Sequence, residues 1–114
     1  YDLKVVNVPK TIDNDLTDTD HCPGYGSAAR FIAQATLGAG RDAAAMGISS
    51  PITIIEIMGR DAGWLSAAGS MYKRDRYDPP HYVGVPEITP VFSLKLGDQI
   101  SVIILVLLYN AEVP

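Results

Sequence analysis

The chain has 114 residues, of which 47% are hydrophobic and 19% charged, and this composition fits one soluble α/β domain or a piece of one. Its formal net charge of −4 argues against a nucleic-acid-binding protein, since such proteins carry a basic surface. The single cysteine, Cys22, excludes an internal disulfide bond and favours a reducing, cytoplasmic location. We expect no secretory leader and no membrane span, because the longest apolar run, residues 100–109, is far shorter than the roughly 20 residues that a span needs.

Three elements are predicted in the first half of the chain. Residues 3–8 are apolar and mostly β-branched, which predicts a strand that ends before Pro9. Apolar residues at helical spacing then predict a helix with a buried stripe and a kink near Gly38 and Gly40; the stripe consists of Ala28, Phe31, Ile32, Ala35 and Ala39. Residues 52–58 predict a second strand, after which Gly59 allows a sharp turn.

The second half of the chain continues the alternation. The sequence predicts a short helix that begins at Asp61 or Gly63 and runs to Met71, a third strand over residues 82–85 and a buried strand over 100–109. The order β-α-β-α-β predicts an α/β fold with right-handed crossovers, in which a parallel sheet carries helices on both faces.

A polar loop follows the first predicted strand and carries a cation, a hydroxyl and two carboxylates: Lys10, Thr11, Asp13 and Asp15. In open α/β sheets, ligands bind at the carboxyl ends of the strands. These side chains suit phosphoryl transfer, which depends on positioning and charge stabilisation. The alternative is a polar turn without function, because Asp and Asn favour turns by bonding their own backbone.

Three sequence blocks, in this order, are similar to those of one enzyme family: PKTIDND at residues 9–15, TDHCPGYGSAA at 19–29 and MGRDAGWL at 58–65. They resemble the phosphofructokinase family, and most of all its pyrophosphate-dependent form. The resemblance covers about residues 3–90, so we predict a sugar-phosphate-binding segment over 1–90 and a divergent C-terminal strand segment over 91–114. The implied fold is part of a Rossmann-like phosphofructokinase domain.

The resemblance implies the transfer of a phosphoryl group from diphosphate to the 1-hydroxyl of fructose 6-phosphate, with Mg²⁺, in glycolysis. The family's donor loops, which precede PKTIDND, have no counterpart here, so we expect an internal fragment that is inactive alone and belongs to a homo-oligomeric enzyme. The alternatives are an ATP-dependent phosphofructokinase and a non-catalytic sugar-phosphate-binding fragment or subunit.

The same resemblance assigns roles to single residues. Asp13 matches the general base, and Asp15 matches a carboxylate that helps to hold Mg²⁺. Lys10 is typical of the pyrophosphate-dependent members, since its charge would neutralise the shorter donor and its bulk would obstruct a nucleotide. Arg60 would hold the substrate phosphate or the transferring group. A turn role for the aspartates and a surface role for Lys10 and Arg60 remain the alternatives.

Further residues match substrate contacts of the family: Thr11, Ile12, Met58 and Gly59. Glu87 resembles a position near ligand-binding surfaces, whereas Trp64 is predicted to pack rather than to touch a ligand. His21 and Cys22 are adjacent and lack a second cluster, which makes them a poor metal pair.

Overall fold

The structure, a computed structural model, describes residues 1–49 and 51–88 in full and the backbone of residues 103–108. Its elements are α1 (Tyr25–Met46), a 3₁₀ turn (Gly47–Ser49), β1 (Ile52–Ile57), α2 (Trp64–Ala68), β2 (Tyr82–Val83) and β3 (Ile103–Leu108). Within these residues, no helix has both the length and the apolarity needed to cross a membrane. Most of the predicted segment 91–114 lies outside the described residues, so the division near residue 90 remains a prediction.

The three described strands form one sheet in the order β1-β3-β2, and both strand pairs are antiparallel. Ile52 lies opposite Leu108 and Ile57 opposite Ile103, so β1 and β3 pair along their whole length. The predicted parallel pairing is therefore not found among the described strands. The apolar sequence of residues 103–108 predicts that β3 pairs inside a sheet, but it does not determine whether the pairing is parallel or antiparallel. Here the chain returns beside β1 in the opposite sense.

The core lies between the sheet and the two helices and is centred on Ala29, Ile57, Leu65 and Ala68. Ile55 and Val83 pack against this cluster from the sheet. Because side chains alternate along a strand, Ile52 and Ile54 point to the opposite face of β1. They remain 58% and 53% exposed. Among the described residues, helices are found on one face only, since α1 and α2 pack on each other and on the same face.

Residues 3–8 do not form the predicted first strand. Leu3, Val5, Val6 and Val8 are all exposed, and the segment has no place in the sheet. Strand propensity is realised only when a neighbouring strand offers its backbone and a packing surface. No described strand pairs with this segment.

α1 is a single helix of 22 residues, so the predicted helix continues through Gly38 and Gly40 to Met46. Its buried stripe is also rotated from the predicted one and consists of Ala29, Ala33, Thr36 and Gly40, while Phe31 is exposed. The reason is close packing, since a Cβ atom at Gly40 would lie 2.8 Å from Pro79 Cβ. Small residues therefore face the neighbouring elements, and the larger apolar Phe31 is turned outward.

Candidate active site

An open cleft of about 380 Å³ lies where β1 ends. One wall is Asp13, from the loop before α1, and the rest comes from the end of β1 and the turn after it: Glu56, Ile57, Met58, Gly59 and Arg60. The structure therefore brings together residues from two sequence blocks that lie far apart in the chain.

The turn after β1 presents two of these side chains to the cleft. Ile57 is buried in the core and fixes the end of the strand. Gly59 has φ 125°, a backbone conformation that residues with a side chain rarely adopt. This confirms the sharp turn predicted at Gly59. Met58 and Arg60 consequently project outward and are exposed on either side of a buried glycine.

Arg60 is available to an anion. Its side chain is 80% exposed, and its Nε–H donates to Asp61 Oδ2 at 3.3 Å. An exposed pair of this kind contributes little stability. A guanidinium has five N–H donors, so the bond to Asp61 leaves most of the planar fork for a phosphate.

The backbone of Asp13 is held by a hydrogen bond, whereas one oxygen of its carboxylate has no partner among the described residues. Its backbone N–H donates to Thr11 Oγ1 at 3.2 Å, which places the hydroxyl of Thr11 beside the Asp13 backbone. Asp13 Oδ1 is buried and has no hydrogen-bond partner among the described residues. Buried polar atoms are nearly always bonded, and the exceptions often belong to functional sites. Asp13 also lines the open cleft, so its carboxylate lies beside the space that a substrate would occupy.

The loop that carries Asp13 is closed by Asn14. Asn14 is buried, its Oδ1 accepts the Cys22 N–H at 2.7 Å, and its Nδ2 donates to the Asp20 carbonyl at 3.3 Å. Its φ of 57° lies in the left-handed region, which Asn adopts more readily than most residues. The loop therefore has a defined shape rather than the open form of a simple polar turn.

Four predicted residues lie outside the lining of the cleft: Thr11, whose hydroxyl is beside the Asp13 backbone, and Lys10, Ile12 and Asp15. Ile12 packs against the hydrophobic core. Lys10 is exposed, and its Cε atom lies 4.0 Å from the position that a Cβ would take at Gly24, just before α1. Asp15 is exposed on the same loop.

A clamp, which is the hydrogen bond between Glu87 and Gly63, holds the segment after Arg60. Glu87 Oε1 accepts the backbone N–H of Gly63 at 2.8 Å, at the residue that precedes α2. A Cβ at Gly63 would lie 2.6 Å from Val85, so the two segments are in close contact. In this structure Glu87 thus supports the fold of the loop beyond the cleft.

The aromatic residues near α1 link the helices. The Tyr25 hydroxyl donates to the Trp64 carbonyl at 3.4 Å, and the rings of His21 and Tyr25 lie 5.6 Å apart, edge to face. Trp64 itself is 53% exposed.

No group of three or more His, Cys, Asp or Glu side chains that could hold a metal occurs within the part of the chain that is described.

The family described as Phosphofructokinase matches residues 1–103 of the chain. The chain belongs to the phosphofructokinase family. This agrees with the resemblance carried by its three sequence blocks. The family also implies an α/β fold.

Among phosphofructokinase relatives, a pyrophosphate--fructose 6-phosphate 1-phosphotransferase of Halomonas elongata is 49% identical over 89 residues, which is 77% of this chain and 21% of the relative. A sulfofructose kinase of Alkalicoccus urumqiensis is 42% identical over 98 residues, covering 86% of this chain and 26% of the relative. An ATP-dependent 6-phosphofructokinase of Corynebacterium efficiens is 35% identical over 86 residues, covering 75% and 22%. The chain thus spans about a fifth of the length of the pyrophosphate-dependent relative. No solved structure matches it.

Two residues of this candidate site are not predicted from the sequence. Glu56 lines the cleft, although the sequence shows it only as the single charged residue of an apolar strand. Asn14 was interpreted only as part of a turn, although its side chain closes the loop. The signal for Glu56 was its position two residues before Met58, which places it at the end of β1.

Proposed function

We propose that this chain forms the sugar-phosphate part of an enzyme that transfers a phosphoryl group from diphosphate to the 1-hydroxyl of fructose 6-phosphate. The observation that carries the proposal is the shared cleft of Asp13 and Arg60, which come from separate family motifs. A proton acceptor and a guanidinium on one cleft are the groups that transfer to a hydroxyl requires. Membership of the phosphofructokinase family supports the same reaction class.

In the proposed reaction, the sugar 1-hydroxyl lies against Asp13. The hydroxyl oxygen attacks the phosphorus of diphosphate, the new P–O bond forms, and the bond to the bridging oxygen breaks. Phosphate leaves with the electron pair of that bond, and the hydroxyl proton passes to Asp13. The position of Asp13 on the open cleft supports this role, and no hydrogen bond from the described residues competes for its Oδ1. Arg60 binds a phosphate oxygen of the substrate or of the transferring group.

Diphosphate is the donor that the sequence favours. The pyrophosphate-dependent relative is 49% identical to the chain, against 35% for the ATP-dependent one. Lys10 supports this choice, since it is exposed in the loop that carries Asp13 and has the positive charge that a short donor needs. Dependence on ATP is the weaker alternative.

Mg²⁺ is the proposed cofactor. It would be held by Asp15 together with phosphate oxygens of the substrates, because protein sites for Mg²⁺ commonly supply one or two carboxylates and leave the remaining positions to phosphate and water. Asp13 and Glu56 line the cleft, and Asp15 is exposed on the loop of Asp13. Since no group of three or more such ligands occurs among the described residues, phosphate oxygens would have to supply most of the ligands. When bound, the ion neutralises charge on the phosphates.

Similarity to a sulfofructose kinase supports sulfofructose as a second acceptor. This kinase matches a larger share of the chain than the pyrophosphate-dependent relative does, at 86% against 77%. Arg60 could pair with a sulfonate as well as with a phosphate, because both present oxygen atoms to a planar fork. Sulfofructose therefore belongs in the assay as a competing acceptor.

The test uses the full-length enzyme that contains this chain, which we expect to be a cytoplasmic homo-oligomer that works in glycolysis. Its reaction is measured with Mg²⁺, each donor (diphosphate or ATP) and each acceptor (fructose 6-phosphate or sulfofructose). We expect the largest kcat/KM with diphosphate and fructose 6-phosphate. A complete lack of turnover with every pair would contradict the proposal and favour a non-catalytic sugar-phosphate-binding protein. We expect the isolated 114-residue chain to be inactive, because it spans only about a fifth of the length of the pyrophosphate-dependent relative.

A further inference from the structure

One buried polar side chain beside the cleft has no part in the proposed reaction. Asn14 is 7% exposed, and both ends of its carboxamide bond across the loop, to the Cys22 N–H and the Asp20 carbonyl. The Cys22 carbonyl in turn accepts the N–H of Tyr25 at 3.1 Å, at the first residue of α1. Asn14 thereby ties the backbone next to Asp13 to the start of the longest helix.

The Asp13 carboxylate lacks such support of its own. Among the described residues it makes no hydrogen bond, and its Oδ1 is buried without a partner. In triad-type active sites a third group orients the catalytic base by a hydrogen bond. Here the direction of the carboxylate must come from the backbone on either side of it. Thr11 Oγ1 holds that backbone on one side, and Asn14 holds it on the other.

The left-handed conformation of Asn14 adds to this restraint. With φ 57°, the chain changes direction directly after Asp13. Most residues with a side chain resist this conformation, whereas Asn accepts it because its short side chain can bond locally. The residue type thus meets two requirements at once, the backbone conformation and the two bonds across the loop.

We propose that Asn14 is a positioning residue, which fixes the direction of the Asp13 carboxylate by tying the loop to the start of α1. The inference rests on the proposed function, since Asn14 has this role only if Asp13 accepts the proton. The competing explanation is that Asn14 merely stabilises the loop. If Asn14 positions Asp13, its effect on kcat requires the Asp13 carboxylate. If Asn14 only stabilises the loop, the effect does not depend on Asp13.

The variant that tests this is Asn14→Gly in the full-length enzyme, because glycine keeps the left-handed conformation and removes both bonds. We expect kcat to fall by about 10²-fold, as for a small misplacement of a catalytic group, while KM for fructose 6-phosphate changes by no more than about threefold. Asp18→Gly is the matched control, since Asp18 has φ 58° in the same loop and is exposed. It should keep the wild-type kcat.

A double-variant cycle separates positioning from simple stabilisation. In an Asp13→Asn background, Asn14→Gly should cause no further loss of kcat, because there is no base left to position. A loss of equal size in both backgrounds would show a purely structural role and overturn the inference. Wild-type kcat in Asn14→Gly would overturn it as well, while the proposed function would stand.

Two further outcomes are distinguishable. If Asn14→Gly does not fold, Asn14→Asp carries the same cycle, because aspartate also accepts the left-handed conformation and can still accept the Cys22 N–H. A wild-type enzyme that is inactive with both donors would overturn the proposed function and this inference together. With an active wild type, a loss of kcat in Asn14→Asp that is equal with and without the Asp13→Asn change would overturn the inference alone.

Discussion

Asp13 and Arg60 line the same cleft, although one precedes α1 and the other follows β1. The two segments are held by separate contacts. Asn14 closes the loop of Asp13, and Glu87 bonds the Gly63 amide beyond Arg60. The cleft is therefore formed by two independently anchored loops, and each can be perturbed without removing a group that would touch the substrate.

Replacing Asp13 by asparagine should lower kcat in the full-length enzyme by roughly 10²–10⁴-fold, the range expected for loss of a general base. Asparagine has nearly the same shape but cannot take the proton, so KM for the sugar phosphate should change little. Steady-state kinetics with each substrate varied provide the measurement. Asp18→Asn, in the same loop but exposed, is the control. A kcat within a few-fold of wild type would make Asp13 a turn residue.

Two glycines of α1 should respond in opposite ways to alanine. At Gly40 a Cβ would lie 2.8 Å from Pro79 Cβ, so Gly40→Ala should lower the free energy of unfolding by about 1–3 kcal/mol through overpacking. At Gly38 nothing lies within 4 Å of the new Cβ, and Gly38→Ala should raise it by about 0.5–1 kcal/mol. Urea unfolding of both variants measures the difference. Equal shifts would contradict close packing at Gly40.

The sequence predicts those parts of the fold that depend on the residues of one segment alone. The apolar run at residues 52–58 and the turn at Gly59 predicted β1 and its end, and both are found. The direction of strand pairing was not predictable, because β3 is apolar throughout and could pair in either sense. The rotation of the α1 stripe also depends on a distant residue, Pro79, whose approach to Gly40 leaves no mark in the helix sequence.

The site was predictable to the extent that family motifs mark it. Asp13, Met58, Gly59 and Arg60 were all singled out, and they meet in one cleft. Asn14 was missed because its importance lies in bonds to residues several positions away, which depend on the shape of the loop. Spacing alone does not reveal such bonds.

The clamp at Glu87 can be tested by two substitutions. Glu87→Leu removes the acceptor of the Gly63 N–H and should lower the free energy of unfolding by about 1–3 kcal/mol, the cost of an unsatisfied buried donor. Glu87→Gln keeps an oxygen that can accept the bond and should lie close to wild type. Thermal unfolding of the two variants checks this. If both variants melt like wild type, water satisfies Gly63 and the clamp adds no stability.

The choice of donor depends on Lys10, which is exposed beside the catalytic loop with its Cε atom near Gly24. Diphosphate has no adenosine to bind, so its affinity must come from charges close to its two phosphates. Lys10→Met keeps most of the bulk and removes the charge, whereas Lys10→Gly removes both. Both variants should lower kcat/KM for diphosphate by roughly 10²–10³-fold, as loss of an oxyanion donor does. Only Lys10→Gly should improve the use of ATP, because it alone removes the obstruction. Lys4→Gly, at an exposed lysine of the preceding segment, is the control. An unchanged kcat/KM for diphosphate in both Lys10 variants would make Lys10 a surface residue and restore the ATP-dependent alternative.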